Sequence, residues 1–302
     1  MDVGLIGLGR MGGNMAERLI KAGHKIIGYA RTKKTVDRFR EKGLIGAYSL
    51  EDLVKKVSLP RPILMMIPAG ESVDRTINAL MPYLNEGDVM IDGGNSYYKD
   101  TLRRAKALKN EGISYVDVGT SGGVWGLKEG YSLMVGGEEK VVESLRPIFE
   151  SLAPAPDKGW GRVGPIGAGH FVKMVHNGVE YGLMQAYAEG FAMIKKKKDF
   201  NLDLHQIAEI WRHGSIIRSW LLDQTSDLLA ENSSMKGIPP FVEDSGEGRW
   251  AVFEAIDLDI AAPVITLSLI KRLLSRDKTG YSDQLLAALR NKFGGHPIKP
   301  QK

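Results

Sequence analysis

Four side chains in the run PIGAGHFVKMVHNGVEY, residues 165–181, have the types and spacing for acid–base chemistry: Lys173, His176, Asn177 and Glu180. On a helix turning about 100° per residue they fall within roughly a third of the circumference. A neutral amine can take a proton and a carboxylic acid can return one. An imidazole and an amide can hold hydroxyl groups, so the set suits a polyhydroxylated substrate. An ordinary surface helix carries similar pairs as solvated neighbours, so the rest of the chain has to decide. The helix is expected to open after Gly169 and to run to about Lys198. Val172, Val175, Val179, Leu183 and Ala186 lie on another side and are expected to be its buried apolar stripe. Gly178 and Gly182 should let a neighbouring helix approach closely.

The elements ahead of this helix alternate between strand and helix. Residues 3–7, VGLIG, read as a buried strand running into Gly7, Gly9 and Gly12, a G-x-G-x-x-G turn that opens a helix. In that context the first glycine permits the tight turn and the second lets the backbone approach a pyrophosphate. The third lets helix and strand pack, and the helix N-terminus faces the phosphates. Leu8, Arg10 and Met11 in the turn, and Met66 on the strand at 63–67, complete this expected set. The second strand ends Ala30-Arg31-Thr32-Lys33-Lys34, without the acid that binds both ribose hydroxyls in NAD enzymes. A guanidinium, a hydroxyl and the two ammonium groups of Lys33 and Lys34 there could bind a 2′-phosphate and favour NADP, with NAD possible. Lys33 and Lys34 also suit the start of the next helix. Further strands are expected at 89–92, 115–118 and 132–135, with Asn95 and Ser121-Gly122-Gly123 at strand ends, where doubly wound sheets bind ligands. Beyond about residue 165 the pattern is helical throughout, at roughly 203–213, 217–231, 247–258, 263–276 and 282–292.

Composition narrows the class. The 302 residues fit one large or two ordinary domains, and a hydrophobic fraction of 43% with 25% charged residues is that of a globular protein. With no cysteine, thiolate metal sites and a cysteine nucleophile are excluded. No apolar run has the length of a membrane span, and the chain enters a strand pattern without a secretory leader. A cytoplasmic enzyme is expected, with neither membrane nor nucleic acid as partner. The net charge of +5 suits anionic ligands, and the dense run Lys195 to Lys198 reads as the solvated end of a helix.

GLGRMGGN at 7–14, DGGNS at 92–96, DVGTSGGVWG at 117–126 and KMVHNGVEYG at 173–182 together resemble the decarboxylating 6-phosphogluconate dehydrogenases in their shorter form, within the β-hydroxyacid dehydrogenases. The resemblance covers nearly the whole chain. It implies an α/β fold: an N-terminal Rossmann-type doubly wound sheet, residues 1–165, then an all-helical substrate-binding and dimerisation domain, 166–302. It also implies roles. Lys173 would be the general base and Glu180 the acid. Asn95, which also joins the cofactor set, would hold the sugar acid with Ser121, Gly122, Gly123, His176 and Asn177. Tyr181 and Arg272 would bind its phosphate. Arg290 and His296, in a run resembling R-x-x-F-G-x-H, would reach into the partner subunit's site of a homodimer or higher homo-oligomer. A β-keto acid loses carbon dioxide readily once its carbonyl is polarised, so no metal is expected.

The chain departs from longer members where their K-G-T-G-K-W run binds phosphate: here Ser245-Gly246-Glu247-Gly248-Arg249-Trp250 stands, with Ser245 in place of the first lysine. Their extra helical repeat is also lacking. Two other readings compete. A dehydrogenase of a small 3-hydroxy acid, such as 3-hydroxyisobutyrate, would leave Arg272 and Arg290 unemployed. A non-catalytic dinucleotide sensor need not keep Lys173 or Glu180.

Overall fold

The computed structural model describes residues 1–298. The chain packs as two compact units, Met1–Asn177 and the residues from Gly178 onward.

The first unit is built on one eight-stranded sheet. Its strands are β1 (Asp2–Ile6), β2 (Lys25–Tyr29), β3 (Ile45–Ala47), β4 (Pro62–Met65), β5 (Val89–Asp92), β6 (Ser114–Ser121), β7 (Ser132–Gly136) and β8 (Trp160–Gly164). They lie in the order β3-β2-β1-β4-β5-β6-β7-β8, all neighbours parallel except β6 and β7. The order reverses between β1 and β4, which opens a crevice at the C-terminal ends of these strands. Helices α1 (Arg10–Lys21), α2 (Lys33–Arg40), α3 (Leu50–Lys56), α4 (Glu71–Leu80), α5 (Tyr98–Lys109), α6 (Gly126–Glu129), α7 (Glu139–Ser144) and α8 (Arg146–Leu152) connect them. Strands covered on both faces must be apolar throughout. Alternate residues accordingly enter different layers: Val3 and Leu5 join one core with Leu19, Val116 and Phe149, while Ile6 joins another with Ile27, Met65 and Met90. At the N-terminal ends of β4 and β5, opposite the crevice, wholly buried Asp88 accepts the main-chain N–H groups of Arg61 and Asn85 and pairs with the Arg61 guanidinium at 2.8 Å.

A long helix, α9 (Ala168–Lys196), begins in the first unit and continues into the second. The second unit adds α10 (Leu204–Arg212), α11 (Trp220–Asn232), α12 (Glu247–Asp257), α13 (Pro263–Arg276) and α14 (Tyr281–Gly294). Asp203 and Ser219 cap α10 and α11 by accepting first-turn N–H groups. Phe191, Leu204, Ala208, Leu222 and Leu229 form the core of this unit.

The fold class is the one the alternation predicts. Sequence pattern misses β3 and β8: the first has three residues, and the second, WGRVG, is half-exposed and carries two glycines. The stripe expected on α9 is a correction of substance. Val175, Val179 (50% exposed), Leu183 and Ala186 are exposed and Val172 is half-buried, whereas Lys173 and Asn177 are only 5% and 8% exposed. The helix seats itself through glycines and the bases of polar side chains, and periodicity does not reveal which face that will be. Gly178 and Gly182 do face neighbouring helices: a Cβ on Gly178 would stand 3.1 Å from Ala251 Cβ, and one on Gly182 3.2 Å from Val264 Cγ1.

Candidate active site

The dinucleotide turn forms as its spacing predicts. Gly7 has φ +98°, and a Cβ there would collide with Met66 O. A Cβ on Gly12 would collide with Gly7 O, so this glycine serves helix–strand packing. Nothing lies within 4 Å of a Cβ built on Gly9. Gly9 also begins α1 without a side-chain cap, and no acid occupies the first turn. Those N–H groups and the helix dipole are therefore available to an anion.

A cleft of about 580 Å³ extends from this turn. Its lining includes Gly7, Leu8, Gly9, Ala30, Arg31, Thr32 and Met66 from the expected set. Arg10, Met11, Gly12 and Asn95 do not line it: Arg10 is exposed, Met11 packs against the core and Gly12 is buried under the turn. Asn95 stands beyond the end of β5. Thr35, Ser72, Arg75 and Thr76 add polar groups that sequence reasoning overlooked. Their one signal is position: Thr35 lies in the first turn of α2, just after β2, and α4, which carries the other three, starts just beyond the C-terminal end of β4. The cleft has the size, the glycine turn and the open helix terminus that a dinucleotide requires.

Two buried aspartates organise the neighbouring strand ends, and they are register partners, Asp92 on β5 and Asp117 on β6. Asp92 shapes the loop that carries Asn95. Its carboxylate accepts from Gly94 N at 3.1 Å, Ser96 Oγ at 2.7 Å and Tyr115 Oη at 3.0 Å. Burial pushes the Tyr115 phenol well up, so it stays a donor. Arg104, 3% exposed, lies below the loop and donates through Nε and Nη2 to Asp74 at 3.0 and 2.9 Å. These bonds hold the Asp74 carboxyl at about 2, below its ordinary 3.8. A depressed carboxyl stabilises the fold fully above its unfolded value and loses that contribution as pH falls through the folded one. Melting temperature measured against pH should therefore show an acid limb between about pH 4 and about pH 2 that Asp74→Asn flattens.

Asp117 engages α9. Its Oδ1 accepts from Gly167 N and its Oδ2 from His170 N, each at 2.7 Å. Burial pushes its carboxyl upward, against the pull of His170 and of these two N–H groups. One turn along, Lys173 lies over Gly119 of β6, whose missing side chain leaves room for it. His176 Nδ1 is 3.4 Å from Lys173 Nζ and 3.1 Å from Asn177 Oδ1. Beyond Gly119, β6 ends in Ser121, and Gly122, at φ +123°, turns the chain into a loop that exposes Gly123, Val124 and Trp125. Helix α1 pins this loop: Asn14 Nδ2 donates to Val124 O at 3.2 Å and Arg18 Nη1 to Leu127 O at 3.2 Å. In the first unit α9 carries Lys173, His176 and Asn177, with Lys173 over Gly119, while Asn95 follows β5 and Ser121-Gly122-Gly123 follow from the adjoining strand β6.

In the second unit α9 carries Glu180 and Tyr181. The Arg272 guanidinium lies 3.5 Å from the centroid of the Tyr181 ring, and its Nη1 donates to Glu243 O at 2.7 Å. Tyr181 Oη is 3.2 Å from Ser245 Oγ, which donates to Glu247 Oε2 at 2.5 Å. Arg249 pairs with Asp244 at 2.6 Å. Tyr181, Arg272 and Ser245 thus stand in one cluster. Arg290 and His296 are exposed on and after α14, a helix that buries none of its residues.

A dinucleotide cleft at the sheet's switch point, followed by a long helix whose buried lysine sits over a strand end, defines a nicotinamide-dependent dehydrogenase with a helical second half. Residues 2–163 match the family described as the NAD binding domain of 6-phosphogluconate dehydrogenase, and residues 169–297 match its C-terminal domain. The chain belongs to the 6-phosphogluconate dehydrogenase family. It is 41% identical over 299 residues to the NAD(+)-dependent, decarboxylating 6-phosphogluconate dehydrogenase of Haloferax volcanii, covering 99% of this chain and 98% of that one. It is 39% identical to the decarboxylating enzyme of Haemophilus influenzae, of which the match covers 63%. The Plasmodium falciparum 6-phosphogluconate dehydrogenase structure covers 100% of this chain at a TM-score of 0.83 and 30% identity, and the match takes in 67% of that protein. No described helix is long and apolar enough to cross a membrane.

Proposed function

We propose that this protein catalyses the oxidative decarboxylation of 6-phosphogluconate to ribulose 5-phosphate and carbon dioxide, with reduction of NADP or NAD. The observation that carries the reading is the buried Lys173, seated over Gly119 with His176 and Asn177 beside it. When bound, the nicotinamide supplies the hydride acceptor. Lys173 in its neutral form takes the C3 hydroxyl proton as hydride leaves C3. The resulting ammonium then polarises the C3 carbonyl, and the C1 carboxylate departs as carbon dioxide to leave an enediol. Glu180 protonates the former C2, which becomes C1 of ribulose 5-phosphate, as Lys173 takes back the proton on the C3 oxygen. Asn95, Ser121, Gly122, Gly123, His176 and Asn177 hold the hydroxyl and carboxylate groups, and Tyr181 with Arg272 takes the phosphate. Steady-state assays with 6-phosphogluconate and 3-hydroxyisobutyrate separate this reading from that of a small 3-hydroxy acid. The phosphorylated sugar acid should be turned over at least about a hundred-fold more efficiently, because the smaller acid offers no phosphate for charge-assisted bonds of about 1.5–3 kcal/mol each.

NADP is the proposed preference. Ala30, Arg31 and Thr32 line the cleft, and α2 has no acid in its first turn. Lys33 and Lys34 start that helix outside the cleft lining. A charge-assisted bond from Arg31 to the 2′-phosphate corresponds to about ten-fold to over a hundred-fold in affinity. Ala30→Asp combined with Arg31→Leu should move the ratio of kcat/KM values toward NAD. Equal efficiency with both nucleotides in the unmutated protein would count against the assignment.

The working form is proposed to be a homodimer with shared sites. In the second unit, Val264, Leu267 and Leu274 of α13 are exposed, as are Leu285, Leu286, Leu289 and Phe293 (79%) of α14. Apolar area on this scale supports an interface, and a second copy is the partner that symmetry makes self-complementary. The partner's Arg290 and the partner's His296 would then complete each phosphate and sugar site.

A further inference from the structure

We infer that Asp117 and Gly119 are positioning residues for Lys173: the buried carboxylate fixes the first turn of α9, and the absent side chain at Gly119 sets how deep the lysine lies. The inference rests on the reading of Lys173 as the base.

Asp117 and Gly119 are two residues apart on β6 and so face the same side of the sheet. The first turn of a helix leaves its N–H groups without intrahelical partners. Here the Gly167 and His170 N–H groups are taken one by each Asp117 oxygen, at 2.7 Å. A carboxylate used at both oxygens fixes rotation as well as translation, and charge-assisted bonds of this length are strong. Three glycines bring backbone against backbone around it. A Cβ on Gly169 would stand 2.6 Å from Asp117 O, one on Gly136 2.7 Å from Gly169 N, and one on Gly119 2.6 Å from Gly169 O while colliding with Lys173 Cβ. Lys173 follows Gly169 by four residues and shares its helix face. A second tether runs from His170 Nδ1 to Thr101 Oγ1, 2.7 Å apart, on the helix that follows the Asn95 loop. One buried cluster therefore ties the helix bearing the base to the loop bearing a substrate ligand.

Asp88 supplies the control. It too is wholly buried and accepts two main-chain N–H groups, but at the N-terminal end of β5, away from the cleft. Full-length Asp117→Asn, Gly119→Ala, Thr101→Val and Asp88→Asn proteins should be compared for melting temperature, NADPH affinity by fluorescence, kcat and KM. The primary isotope effect with C3-deuterated 6-phosphogluconate completes the set. Displacing a catalytic group by about 1 Å costs on the order of a hundred-fold, so Asp117→Asn and Gly119→Ala should lose roughly 30- to 300-fold in kcat. Their NADPH affinity should stay within about three-fold and the isotope effect should rise, because only the hydride step is misaligned. Thr101→Val, which keeps the shape and loses the tether, should show the same pattern at about five-fold. Asp88→Asn should lose melting temperature with kcat intact. Full kcat in folded Gly119→Ala and Thr101→Val proteins would overturn the inference even if Asp117→Asn did not fold. So would an equal loss of kcat in Asp88→Asn. Wild-type protein inert toward 6-phosphogluconate would instead reject the functional reading beneath it.

Discussion

Lys173→Met is expected to lower kcat with 6-phosphogluconate by about 10³-fold or more while leaving dinucleotide binding within a few-fold of wild type. A positioned general base contributes on the order of 10² to 10⁴ to rate, and here the same nitrogen is asked to act twice. As an amine it receives the C3 hydroxyl proton; as an ammonium it polarises the C3 carbonyl for loss of carbon dioxide. Methionine reproduces the unbranched stem of lysine as far as Cε, so the seat over Gly119 should remain filled. The dinucleotide cleft has no lining residue on α9, so cofactor affinity reports independently that the variant is folded. Absorbance of the reduced nicotinamide in a single turnover reads hydride transfer directly. Near-wild-type turnover would show that another group is the base.

Mixing two inactive variants is expected to restore activity. An Arg290→Ala protein lacks the residue proposed to cross between copies, and a Lys173→Met protein lacks the base. If the tail completes the partner's site, a mixed dimer holds one intact site and one doubly damaged site. Random exchange makes about half of the dimers mixed, each with one of two sites, so activity should return to about a quarter of wild type. The basis is that α14 buries no residue of its own and ends in Gly295 at φ +65°, which turns the chain just before His296. Exposed Phe293 and Leu289 on the same helix give a second copy apolar area to cover. Lack of recovery, with subunit exchange verified by differently tagged chains, would show that Arg290 serves its own chain.

The parts legible in the sequence are those whose reasons are local. Gly7, Gly9 and Gly12 announce a turn and a helix start because steric demands at that turn act over six residues. Ala30-Arg31-Thr32 is readable because it follows its strand directly. Helices α10 to α14 are visible from periodicity, and α13 lies at the expected 263–276. The setting of Lys173 was not legible. Its burial depends on Gly119, Gly136 and Asp117, more than thirty residues away on two strands. An isolated helix pattern therefore assigns the apolar Val175, Val179 and Leu183 to the inside, whereas they are exposed. Arg75 and Ser72 went unnoticed for a similar reason: nothing in α4 itself signals that it borders a cleft made by three other segments.

The central claim, that this chain couples oxidation at C3 to loss of C1, is tested most directly by stoichiometry. The protein is incubated with 6-phosphogluconate labelled at C1 and with NADP or NAD, and reduced cofactor, labelled carbon dioxide and ribulose 5-phosphate are measured together. The account predicts all three in equal amounts, with no label left in the sugar phosphate. Reduced cofactor with the label retained in a keto acid, or turnover confined to small 3-hydroxy acids, would contradict it.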